Sequence, residues 1–133
     1  MANTDAGLSL ASNPLIAFVA TADAERSRAF YGDVLRLRLR SDEPFALVFE
    51  ADGTMLRIQK TDVVSPAPYT VLGWQVGDVA QLAEQLSDRG VPFERYPGLE
   101  QDALGIWISP AGAKVAWFRD PDGNILSLTQ FAA

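Results

Sequence analysis

The chain contains no cysteine and no histidine in 133 residues. The absence of cysteine excludes disulfides, thiolate metal sites and cysteine nucleophiles. The absence of histidine removes the commonest metal ligand and the usual general base near neutral pH. Oxygen donors alone remain, so zinc is disfavoured and a centre of two histidines and one carboxylate is ruled out. Long apolar runs are missing too, and none approaches the roughly 20 residues a membrane span needs. No basic patch is visible and the net charge is −6, which argues against nucleic acid as a partner. That balance favours cationic ligands over phosphate-rich ones and keeps the protein soluble. Residues Met1 to Asn13 carry no basic n-region. They are read as a flexible tail of a cytoplasmic protein rather than a secretory signal.

Hydrophobic residues make up 48% of the chain, enough for one compact domain with a real core. Pro14 to Ala20 is a short apolar run expected to be a buried strand. Asp23 stands where a helix N-cap belongs, and the following residues place Ala29, Phe30, Val34 and Leu35 on one face. Leu37 to Arg40 alternates apolar and basic, as a half-buried strand does. Phe45 to Glu50 and Thr54 to Lys60 read as a hairpin across Asp52-Gly53. Thr61 to Pro68 holds two prolines and no period, and is expected to be a linker. The second half repeats the order. Tyr69 to Val76 is a strand, and Asp78 caps a helix with Gln81 in capping-box position. Val79, Leu82, Ala83 and Leu86 follow helical spacing, and Gly90 stops the helix. Strands are then expected over Val91 to Tyr96, Leu104 to Ser109, Lys114 to Arg119 and Ile125 to Gln130. The two cap aspartates lie 55 residues apart.

Strand, helix, three strands, twice over, predicts an α+β fold of two tandem βαβββ modules. The modules span 14–60 and 69–133 around a 61–68 linker, behind a tail over 1–13. Each module is expected to form a curved mixed sheet with its helix on the outer face. Two modules edge to edge would leave a cleft, which suits binding. Exposed strand edges call for a partner, and a homodimer is expected.

Trp117-Phe118-Arg119-Asp120-Pro121-Asp122-Gly123-Asn124 with the strand after it resembles the closing hairpin of the vicinal oxygen chelate superfamily. That is the glyoxalase, bleomycin-resistance and extradiol-dioxygenase group. Ala29 to Leu35, with its Phe30-Tyr31 pair, resembles that family's first helix. The resemblance covers about Pro14 to Phe131. It implies that metal-using relatives place ligands on the first and last strands of each module, typically His, Glu or Gln. Laid on this chain, those positions become Ile16, Val71, Ser127 and, on the fourth strand, Arg57 or Gln59. Such a set cannot hold a divalent metal, so no metal and no cofactor are expected. The resemblance therefore points toward the metal-free, drug-binding branch.

The cleft face is expected to present Phe18, Arg57, Gln59, Gln75, Trp107, Trp117 and Ser127. Arg57 suits a ligand carboxylate or a ring, Gln75 a carbonyl or amide, and the two tryptophans a planar ligand. Trp74 is expected to face the helix as core. Gly105 with Glu100-Gln101-Asp102 is a candidate lid. No paired carboxylates, nucleophile–base pair or phosphate-cradling loop stands out, and catalytic residues are left unassigned. Glu50 is the one carboxylate near a strand end. The expected function is binding of a small aromatic or amphipathic molecule, with antibiotic or metabolite sequestration as the role. The alternatives are a lyase, isomerase or dioxygenase of the same fold, or an interaction module whose cleft a partner fills.

Overall fold

The structure is a computed structural model and describes residues 8–133. The first seven residues of the expected tail lie outside the described residues. Strand β1 (Ile16–Thr21) leads to α1 (Ala24–Ala29), which runs on into a π-helical turn over Phe30–Val34. Next come β2 (Arg38–Asp42), β3 (Ala46–Ala51) and β4 (Thr54–Lys60). After the linker follow β5 (Thr70–Gln75), α2 (Val79–Asp88), β6 (Trp107–Ile108), β7 (Lys114–Arg119) and β8 (Ile125–Gln130).

Local chemistry sets these boundaries. Asp23 accepts from the Arg26 amide at 3.1 Å, and Asp78 accepts from the Gln81 amide at 3.0 Å, so both aspartates cap their helices as expected. The capping box is built differently. Gln130 Oε1, from the end of β8, accepts from the Val79 amide, a first-turn donor that a capping box would leave free. The π turn closes with the Leu35 amide donating to Phe30 O, five residues back. Arg36 then adopts φ 62°, the left-handed step that ends a helix. Asp52 and Gly53 both have positive φ, which makes the β3–β4 turn a tight hairpin of the primed kind.

The strands form two four-stranded sheets in the orders β1-β4-β3-β2 and β5-β8-β7-β6. In each, the first strand pairs in parallel with the last strand of its module, and the other pairs are antiparallel. The sheets are thus two copies of one topology. Their edge strands β1 and β5 approach each other. One strand expectation fails. Val91 to Tyr96 forms no strand and makes only a single bridge, Phe93 to Phe118. Pro92 removes a ladder donor inside the segment, and Pro97 ends it. The expected strand over Leu104 to Ser109 shrinks to Trp107–Ile108, because Asp102 ties the preceding residues into a turn by accepting from the Leu104 and Ile106 amides.

Alternation decides what is core. Val19, Leu47, Phe49, Leu56 and Ile58 face the helices from the first sheet. Leu126, Leu128, Ala116 and Phe118 do so from the second. With Tyr31, Val79 and Leu86 they make one continuous core across both modules. Each buried Phe or Leu contributes roughly 1.5–3 kcal/mol. Trp74 stacks on Phe118 with ring planes 16° apart, on the helix side as expected.

The two resembling motifs meet in space. The Asp120 carboxylate is 5% exposed and accepts from Tyr31 Oη at 2.8 Å and Asn124 Nδ2 at 2.8 Å. It also accepts from the amides of Asp122 and Asn124. Asp122 reaches the first module, accepting from the Ala22 amide and from Ser27 Oγ, while Asn124 Nδ2 donates to the Ala20 carbonyl. Burial, then the Asp120 charge, pushes the Tyr31 phenol well above the ordinary range. This buried network joins the closing hairpin of one module to the first helix and strand of the other. Among the described residues, no helix is long and apolar enough to cross a membrane.

Candidate functional site

The face of the sheets opposite the helices is the candidate site. On the first module, Ile16 pairs with Met55, Phe18 with Arg57 and Ala20 with Gln59, all on that face. The β3 residues beside them are Glu50, Val48 and Ala46. Here an apolar surface is open to solvent, with Phe18 50%, Ile16 47% and Met55 40% exposed. Ala46 and Val48 at its centre are buried, because all four residues Ala46 to Phe49 are covered on both faces. A hollow of about 210 Å³ lies beside them, lined by Arg40, Val48, Glu50 and Met55.

Arg57 does not stand free on this surface. Its Nη2 donates to Glu43 at 3.2 Å, and Glu43 also accepts from Ser41 Oγ at 2.9 Å. These two hydrogen bonds, Ser41 first, hold the Glu43 carboxyl below its usual range. Arg57 pairs with Phe18 across the β1–β4 ladder, while its guanidinium is held over the β3 side of the sheet by Glu43. Glu43 went unnoticed in the sequence because it lies in the β2–β3 connection, off the ladder that pairs Arg57 with Val48. Glu50 is likewise engaged, with Arg40 Nε 3.6 Å away.

On the second module, Gly73 pairs with Ser127, which pairs in turn with Trp117. Gln75 pairs with Thr129, and Val115 connects that row to Trp107. The Trp107 and Trp117 rings lie 6.0 Å apart at 34°, and Tyr96 meets Trp117 edge-on at 5.4 Å. Tyr96 is an aromatic of this wall that sequence reasoning missed. It falls in the segment expected to be a strand, where side-chain direction could not be assigned. Ser127 is 8% exposed and packs where a Cβ on Gly73 would come within 2.7 Å of its hydroxyl.

The seven expected residues therefore gather into two groups. Phe18, Arg57 and Gln59 share the first sheet, and Gln75, Trp107, Trp117 and Ser127 share the second. The two sheets meet where β1 approaches β5. The candidate lid is a fastened loop. Gln101 Nε2 donates to the carbonyls of Glu94 and Gly105, its Oε1 accepts from the Tyr96 amide, and Arg95 ties down the carbonyls of residues 101–103. It borders a broad depression of about 580 Å³ at the β6 edge, with Trp107, Glu100 and Asp102 in its lining.

The donor chemistry does not fit a divalent metal. At the positions that the resemblance implies for metal ligands stand Ile16 and Val71, which offer no donor, and Ser127, whose neutral hydroxyl is nearly buried. The fourth position offers a cation already paired with Glu43, or the Gln59 amide. Among the described residues no three His, Cys, Asp or Glu side chains converge on a common point. What this face offers is an aromatic and aliphatic wall with two guanidiniums held by carboxylates, Arg57 by Glu43 and Arg119 by Glu94, the Glu50 carboxylate and a few neutral polar groups.

The chain was compared with known proteins. The model of the glyoxalase/bleomycin resistance protein/dioxygenase superfamily matches residues 14–128. Solved structures of the same shape include a superfamily member from Sphaerobacter thermophilus, 23% identical, covering 89% of this chain and 96% of that one at TM-score 0.70. TnmS3, an antibiotic binding protein from a Streptomyces species, is 23% identical over 91% of this chain and 97% of its own, at TM-score 0.67. The fosfomycin resistance protein FosX from Listeria monocytogenes is 15% identical over 91% and 94%, at TM-score 0.71. At these identities the structures establish the shared fold. No curated protein matches the chain significantly. With the family model spanning most of the chain and the paired modules in place, this protein belongs to the glyoxalase/bleomycin resistance protein/dioxygenase superfamily.

Proposed function

We propose that this protein is a metal-independent binder of a small aromatic or amphipathic molecule, held on the sheet face opposite the helices. One observation carries the reading. That face joins an exposed apolar surface of Ile16, Phe18 and Met55 to a guanidinium fixed by Glu43. The second module contributes a wall of Trp107, Trp117 and Tyr96. Side chains of this kind bind planar ligands by burial and stacking, with Arg57 orienting an acceptor on the ligand. Sequestration of an antibiotic or metabolite in the cytoplasm is the role that follows, and TnmS3 gives a precedent for antibiotic binding on this fold.

Exposed apolar residues at the module edges, Leu15 and Tyr69 among them, support a homodimer that closes the open face. Titration with anilinonaphthalene sulfonate, an aromatic anion, tests the site. Saturable binding that falls in Phe18→Ser and in Arg57→Ala supports it. Equal affinity in both variants contradicts it. Turnover that requires stoichiometric metal would favour the lyase, isomerase or dioxygenase alternative instead. Sedimentation as a monomer at micromolar concentration would refute the dimer.

A further inference from the structure

A further cavity lies on the helix side, and Gln75, at the end of β5, borders it as well as the proposed ligand face. It is a groove of about 190 Å³ between α2 and the segment after the π turn. Leu35 and Leu37 form one wall, Leu82 and Leu86 the other, and Trp74 with Phe118 the floor. These residues are apolar and partly or fully buried, and they belong to or pack against the main core. The groove is too small for a drug-sized ligand, whose pockets run to about 300–1,000 Å³. It is large enough for one ring, since an apolar cavity of roughly 150 Å³ stays dry and takes up benzene.

One charge borders it. Arg89, at the C-terminal end of α2, lines the groove and is half-buried. Its Nη1 donates to the Val34 carbonyl at 2.8 Å, which fixes the guanidinium across the junction of the two modules. Among the described residues no carboxylate lies within 4.0 Å of it, although the chain holds 17 acidic residues against 11 basic ones. A half-desolvated cation without an anionic partner favours an incoming anion. We infer that this groove is a second ligand site, which takes a single aromatic ring carrying a carboxylate. The ring would lie between Leu37, Leu82 and Trp74, with its carboxylate on Arg89. A peptide helix exceeds the space, and an organic cation would meet Arg89 as a like charge.

Three probes test this: benzoate, toluene and benzylammonium. The variant Trp107→Phe/Trp117→Phe leaves Trp74 as the sole tryptophan and removes the indoles of the other face. Benzoate is expected to change Trp74 fluorescence saturably, toluene more weakly, and benzylammonium at least tenfold more weakly than benzoate. Arg89→Met is expected to reduce benzoate affinity about tenfold and leave toluene unchanged. Leu82→Trp, which fills the groove, should abolish both, read by the loss of benzoate-induced amide shifts in NMR. Selectivity among the three probes is read without any Arg89 substitution, so an unstable Arg89→Met does not spoil the test. No saturable benzoate effect, or equal binding of benzoate and benzylammonium, overturns the inference. A Trp74 signal that follows protein concentration instead of benzoate would assign the groove to a second copy of the chain and would also overturn it.

Discussion

Removing one oxygen tests how the two modules are joined. Tyr31→Phe deletes the hydroxyl that donates to Asp120 at 2.8 Å and leaves the ring that meets Phe30 and Phe49. Asp120 keeps three donors: the amides of Asp122 and Asn124, and Asn124 Nδ2. The carboxylate therefore stays bonded but loses one of four partners in a site only 5% exposed. A hydrogen bond to a charged group contributes about 1.5–3 kcal/mol, so a loss of about 2 kcal/mol is expected. For a domain of this length that is roughly 6–10 °C in Tm. Urea unfolding followed by circular dichroism gives the free energy, and an unchanged m-value would show that the native fold is retained. Asp120→Asn in a double-mutant cycle isolates the pair, with an expected coupling of at least about 0.5 kcal/mol. A loss under about 0.5 kcal/mol for Tyr31→Phe, or strict additivity with Asp120→Asn, would refute the view that this bond joins the modules.

The same phenol carries a pH dependence. Its folded pKa is raised above the ordinary 10.0, so above about pH 10 the unfolded chain releases a proton that the native state retains. Tyr31 therefore adds full stability below that pH, and its share falls by up to about 1.4 kcal/mol per pH unit above it. Tyr31→Phe should flatten the alkaline limb of stability against pH by one proton, and an unchanged slope would count against the burial argument. At the site, Gly73→Ala places a Cβ 2.7 Å from Ser127 Oγ and should cost about 1 kcal/mol. Adding Ser127→Ala should recover most of that, and no recovery would contradict the packing of β5 on β8. Asp78→Ala should cost about 1 kcal/mol by uncapping α2, measured by thermal unfolding.

Much of this fold could be read from local chemistry. Asp23 and Asp78 marked two helix starts because a carboxylate before an amphipathic run has amide donors to satisfy. Asp52-Gly53 marked the hairpin because both residues tolerate positive φ. That turn also aligns β3 with β4 and so places Arg57 beside Val48. The register implied by the family resemblance, carried along each strand by alternation, put Phe18, Arg57 and Ser127 on one side, and alternation against Gln75 put Trp74 on the other. What escaped depends on contacts distant in sequence. Glu43 reaches Arg57 from outside the ladder. Tyr31 and Asp120 are 89 positions apart, and each was visible only as part of its own motif. The segment from Val91 to Tyr96 looked like a strand by composition. Pro92 and the competing side-chain bonds of Gln101 left only one bridge.

The central claim is that the sheet face opposite the helices binds an organic molecule without a metal. Native mass spectrometry of protein purified without chelators tests it most directly. The account predicts a small-molecule adduct or a metal-free apoprotein that binds an added aromatic ligand one to one, with binding weakened in Trp117→Ala and Phe18→Ser. A stoichiometric mass of iron, zinc, manganese or nickel on the folded protein would contradict it.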